Sequence, residues 1–213
     1  MGDLSGDQQQ LVHNLLQVTL SEYGYQRVMA SVNADEYLKS QSGDNLLQFG
    51  ADEYSVAMFG TPSTTQPWMF RFGGHHMTVN ATIADDNITL APSFQGCQPC
   101  DYTMAGQELR PDTDQVDKGF ALINALDASQ QQQAILGSQG IDLVLGPNQP
   151  MKTVAPEGIQ ASNLNVTQQA MLVQLIGFHV NILNDQSAAT RMAQIQAGLA
   201  DTYFAWYGPF DCR

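Results

Sequence analysis

The sequence predicts an α+β fold, with an antiparallel meander sheet over about residues 45–92 flanked by an N-terminal helical hairpin and C-terminal helices. Three observations carry this expectation. Apolar residues recur at helical spacing over the first 40 residues, the next stretch breaks into short alternating runs separated by turn signals, and the helical period returns beyond residue 115. In the first helix, residues 7–21 place Leu11, Leu15, Leu16 and Val18 on the helical period. The second, residues 26–40, carries Val28, Met29 and Val32 and stops at the Gly43-Asp44 turn.

The sheet is read from five runs: Leu46 to Phe49, Tyr54 to Phe59, Trp68 to Phe72, His75 to Ile83 and Ile88 to Ala91. Gly60-Thr61-Pro62-Ser63, Gly73-Gly74 and Ala84-Asp85-Asp86-Asn87 separate them, the last with the composition of a hairpin turn. After Pro92 a loop rich in Gly, Cys, Pro and Asp leads back to helices. Residues 115–126 align Val116, Phe120, Ile123 and Leu126, and a Gln-rich helix over 128–136 ends near Gly137. Ile141 to Leu145 reads as a short strand closed by Gly146-Pro147. A long helix over 166–184 follows, with one stripe of Met171, Leu175, Phe178 and Ile182 and a second of Leu172, Ile176, His179 and Leu183. Ser187 is expected to cap a last helix that runs to residue 200.

With 213 residues, 43% of them hydrophobic, and no Pro- or Ser-rich linker, residues 1–213 are expected to form a single domain. A formal charge of -13 repels phosphate backbones and anionic lipid surfaces, so neither nucleic acid nor a membrane is an expected partner. A small-molecule substrate remains. The acidic residues Asp35 and Glu36, Asp52 and Glu53, Asp85 and Asp86, and Asp112, Asp114 and Asp117 read as a solvated surface. There is no apolar run long enough for a membrane span and no visible signal peptide. Three Asn-X-Thr sequons, at Asn80, Asn87 and Asn165, are weak evidence for secretion, because Asn80 falls inside a strand.

Chemistry concentrates at Gly73-Gly74-His75-His76. Strand alternation from His75 would put His75, Met77, Val79, Ala81 and Ile83 on one face and His76, Thr78, Asn80 and Thr82 on the other, a polar pocket wall. The two imidazoles would then have different roles. His75 and His76 are candidate catalytic residues and candidate ligands of a divalent metal such as zinc, with Glu108 as a third ligand. Glu157 is a further candidate carboxylate that could orient an imidazole or act as a base. Arg71, Trp68 and Asn80 are candidate substrate contacts, Arg71 for a carboxylate and Trp68 as an aromatic wall. Each has a structural alternative: histidines bonded to the backbone turn, and an aromatic core strand through Trp68, Phe70 and Phe72. His13 and His179 read as hydrogen-bonded helix residues. Cys97-Gln98-Pro99-Cys100 has dithiol spacing but lies in a loop with no second cysteine pair, so a local disulfide or two ordinary thiols are favoured over zinc or redox catalysis, with Cys212 left odd.

The runs Tyr54 to Ser63, Pro67-Trp68, Gly73 to Asn80, Ala91 to Gly96, Leu145-Gly146-Pro147, Pro156 to Ile159 and Tyr203 to Gly208 resemble the domain-of-unknown-function family numbered 3500. The resemblance covers nearly the whole chain. It implies bacterial and fungal relatives, often exported, so a secreted or periplasmic location, and no assigned activity. Such proteins usually run beyond 300 residues and carry a later His-X-His element followed by an Arg-Asp pair, which this chain lacks, so a C-terminally truncated member is expected. Cys97 and Cys100 fall where the family tends to have small residues, and no role carries over to them. The leading expectation is an extracytoplasmic, metal-assisted hydrolase-type enzyme with a Gly-Gly-His-His site. The alternative is a non-catalytic binding or structural module.

Overall fold

The computed structural model describes residues 1–43, 48–91, 93–146 and 152–210. The chain divides into two compact units, Met1–Thr113 with His179–Arg191, and Asp114–Phe178 with Met192–Arg213.

The first unit begins with helices α1 (Gly6–Thr19) and α2 (Glu22–Ser42). Ser5 caps α1 in a capping box with Gln8, and the Ser21 side chain caps α2 by accepting from Gly24 N. On α1 the buried positions are Val12, Leu16 and Thr19, while Leu11 and Val18 face outward. The two residues between the helices dock on residues 182–184. Ser21 N donates to Ile182 O (3.0 Å), Asn184 N donates to Thr19 O (3.1 Å), and Leu20 bridges Leu183. Here α2 runs so close that a Cβ on Gly24 would lie 2.2 Å from Ile182 O.

Four strands follow in an antiparallel meander: β1 (Ser55–Phe59), β2 (Trp68–Gly73), β3 (Met77–Ala84) and β4 (Asn87–Leu90). The order predicted from the alternating runs is the order formed. The Leu46 to Phe49 run gives no strand at Gln48 and Phe49, and Leu46 and Leu47 lie outside the described residues. Phe70 and Phe72 of β2 and Met77, Val79 and Ala81 of β3 point to one side, where Val12, Leu16, Val28, Val32 and Tyr54 complete the core. Strand β5 (Phe94–Gln95) pairs with Met77 and Thr78, at the start of β3, on the edge whose other end holds β4. This brings the following Gly96-Cys97 against the turn that precedes β3. The stretch read as loop then forms a hairpin of β6 (Tyr102–Met104) and β7 (Gln107–Leu109), turning through Ala105 and Gly106 at φ 51° and 79°. Two successive positive φ values match the twist of a tight hairpin. The strands are too short for a periodic signal.

In the second unit, α3 (Thr113–Ala125), α4 (Ala128–Ala134) and α5 (Val166–Val180) pack Leu122, Ile123, Leu126, Ala134 and Leu172 into one core. The Gln-rich helix stops before its expected end because β8 (Ile135–Gly137) leaves it to pair in parallel with β11 (Trp206–Tyr207). No strand forms at Ile141 to Leu145, whose Ile141, Leu143 and Leu145 are exposed, and Pro147 lies outside the described residues. Helix α6 (Asp185–Ala197) crosses from the first unit into this one. Asn184, not Ser187, caps it: the Asn184 side chain accepts from Ser187 N (2.9 Å). β9 (Ile159–Gln160) pairs with β10 (Tyr203–Phe204). Just before β9, Gly158 has φ +89°, and a Cβ there would lie 2.2 Å from Phe204 O. Gly158→Ala should therefore lower stability by about 2–4 kcal/mol in denaturant unfolding, since backbone strain and overpacking each cost about 1–3 kcal/mol.

Candidate functional site

His75 and His76 are not on β3 but in the turn before it. Gly74 N donates to Met77 O (3.0 Å) and closes the turn. A Cβ on Gly74 would press 2.7 Å from the Tyr54 ring, so glycine is required. His76 takes φ 57°, a left-handed conformation that histidine tolerates better than most residues, and the strand starts only at Met77. The predicted separation of the imidazoles onto opposite faces is thereby overturned. A positive φ breaks the alternation, and the rings stack with centroids 3.9 Å apart and planes 26° from parallel. Beyond the turn the alternation holds for Met77, Val79 and Ala81, although Asn80, on the other face, is also buried.

The carboxylate that meets His75 is Asp35 of α2, with Oδ1 2.7 Å from Nδ1. The Asp35 side chain is 2% exposed and that of His75 27%. A carboxylate can only accept, so Nδ1 carries the proton, and whenever the ring holds a single proton Nε2 is left with its lone pair. Asp35 Oδ2 is buried and has no hydrogen-bond partner among the described residues. The rest of the turn is pinned from both sides. Tyr54, 1% exposed and stacked on Phe72 at 5.1 Å, donates its hydroxyl to His75 O (3.1 Å), and Gly96 N donates to His76 O (2.7 Å). Burial first, then the charge of Asp35, raises the Tyr54 hydroxyl above the ordinary tyrosine range, which keeps it a neutral donor. Phe49 packs against the His75 ring at 4.9 Å, and Phe94 meets His76 edge-on at 6.3 Å.

Burial, and then the neighbouring His75, lowers the His76 imidazole below its usual range, against the opposing pull of Asp35 and a hydrogen bond to the Cys97 backbone. His179, lowered by burial and then by Arg27, behaves likewise. A group whose folded-state value is depressed binds fewer protons than the unfolded chain once the pH falls below the unfolded imidazole value of about 6.5. Stability is therefore unaffected above that value and declines as the medium is acidified below it. His76→Asn, which keeps a residue tolerant of positive φ, should shrink the acid-side fall in Tm measured by a pH series of thermal melts, and His179 should account for part of what remains.

The other sequence candidates lie elsewhere. Glu108 is exposed on β7 opposite Thr103, and no three-donor metal group at the histidines occurs among the described residues. The three-donor group found among the described residues is Cys97, Cys100 and Asp112. Glu157 is exposed in the second unit, where Oε1 accepts from the Tyr207 hydroxyl (3.0 Å). Trp68 starts β2, five residues from Gly73 and so about 16 Å away along the strand; it packs on the core with Nε1 donating to Ser63 O (3.1 Å). Arg71 faces solvent opposite Asn80. His13 and His179 are hydrogen-bonded helix residues, to Tyr25 and Gln95. Cys97 and Cys100 are free thiols, and Cys212 lies outside the described residues.

Asp35 escaped the sequence reading because it was grouped with Glu36 as acidic surface. The available signal was position: Gly24, Arg27, Val28, Ser31 and Asp35 recur at spacings of three and four along α2, and all are buried. A carboxylate on the buried stripe of a helix needs a partner.

Fold and site together define an α+β protein whose polar centre is a buried carboxylate holding an imidazole in a turn of an antiparallel sheet. The chain belongs to the family described as Protein of unknown function (DUF3500), whose model matches residues 1–212. No curated protein and no solved structure matches it.

Proposed function

We propose that the protein is a hydrolase-type enzyme acting on a small molecule, with His75 as the acid/base group and Asp35 as the residue that orients it. The observation that supports this reading is the 2.7 Å bond between a nearly inaccessible carboxylate and an imidazole that stays partly open. The bond uses Nδ1, so Nε2 is the atom that takes a proton from an attacking water or hydroxyl and returns it to the leaving group. Asp35 holds the ring in one tautomer and stabilises its cationic form during transfer. The stacked His76 stays neutral and forms one wall of the centre. A base of this kind contributes about 10²–10⁴-fold to rate. The test is turnover of a panel of chromogenic esters, phosphoesters and amides by the wild-type chain and by His75→Ala. Turnover of one class, reduced at least about 100-fold in the variant, is expected from that contribution. Equal rates would contradict it, and the pair would then serve only to tie α2 to the sheet.

A further inference from the structure

We propose that Cys97, Cys100 and Asp112 form a binding site for a thiophilic divalent cation of the zinc class, a site separate from the Asp35–His75 pair. The Cys97 Sγ lies 3.0 Å from Cys100 Sγ and 3.2 Å from Asp112 Oδ2, and the three donor atoms all lie within 4.8 Å of one another. Donors on one tetrahedral zinc, with bonds of about 2.0–2.3 Å, stand about 3.5–3.8 Å apart. The three donors are thus within about 1 Å of the required spacing. Cys100 is exposed, which gives an ion access, whereas Cys97 is buried against Ala34 and Tyr102.

The electrostatics fit a cation despite a neighbouring positive charge. Arg27 of α2, 4% exposed, bonds Asp112 Oδ1 at 3.3 Å and Gln95 Oε1 at 2.6 Å. Without metal, Arg27 balances Asp112, and burial raises the Cys97 thiol far above the ordinary range. Binding exchanges two thiol protons for one divalent ion. The net charge of the cluster is unchanged, and Arg27 orients the carboxylate that supplies the third ligand through its other oxygen. Three protein ligands leave a fourth position for water or another small ligand, the pattern of an open zinc site.

Cobalt(II) titration of the reduced full chain tests this. One equivalent should bind with intense thiolate-to-cobalt charge-transfer absorption, zinc should displace it, and about two protons should be released. Cys100→Ser, at an exposed position, should abolish the charge-transfer band while circular dichroism stays unchanged, and Asp112→Asn should weaken binding at least about 10-fold. Zinc should also protect both thiols from alkylation in the wild-type chain. Absence of the band in the reduced chain, or a band that survives Cys100→Ser, would overturn the proposal.

Discussion

Asp35→Asn is expected to lower turnover by about 10²–10⁴-fold while leaving the protein folded, because the amide keeps the size of the carboxyl but not its charge. The amide can present its oxygen to Nδ1–H and retain the ring position, yet it no longer stabilises an imidazolium. It can equally present its NH₂ group and flip the proton to Nε2, which removes the base. Either outcome leaves binding nearly intact and lowers kcat, so the loss should appear in kcat more than in KM. Asp35→Ala should do the same and also cost about 1–3 kcal/mol of stability, the consequence of leaving a buried polar group without its partner. Steady-state kinetics on the substrate class found with the wild type, with denaturant unfolding of both variants, separates these effects.

Tyr54→Ala should destabilise the chain by about 3–5 kcal/mol, the range for deleting a large buried aromatic side chain. Tyr54 is 1% exposed, stacks on Phe72 and fills the space above Gly74, so its removal opens a cavity directly beneath the histidine turn. Tyr54→Phe removes only the hydroxyl bonded to His75 O and should cost about 0.5–1.5 kcal/mol. The two variants separate packing from hydrogen bonding at one position. Equal and small losses would show that the turn does not lean on this ring.

The meander was legible because its strands alternate cleanly: Phe70 and Phe72 against Met69 and Arg71, and Met77, Val79 and Ala81 against two threonines, with a hydrogen-bonding turn sequence between β3 and β4. The histidine turn was legible as a place but not as a shape. Nothing in a period-two pattern signals that His76 adopts a positive φ, and that one dihedral changes two separated imidazoles into a stacked pair. Asp35 and Asp112 read as surface because acidic residues usually are, and in a chain of net charge -13 they stand among many. Their partners, His75 at a separation of 40 residues and Arg27 at 85, are set by tertiary packing that no local window contains. The β8 and β11 pairing is of the same kind: strands of three and two residues from distant segments, defined by each other and not by their own propensity.

The proposed function requires that Asp35 hold His75 in one tautomer with Nε2 as the free basic atom. Long-range ¹H–¹⁵N correlation spectra of the folded chain at neutral pH, assigned through His75→Gln, test it most directly. A protonated Nδ1 and an unprotonated Nε2 are expected for His75, with the tautomer lost in Asp35→Ala. A proton on Nε2, or a tautomer mixture unaltered by Asp35→Ala, would contradict it.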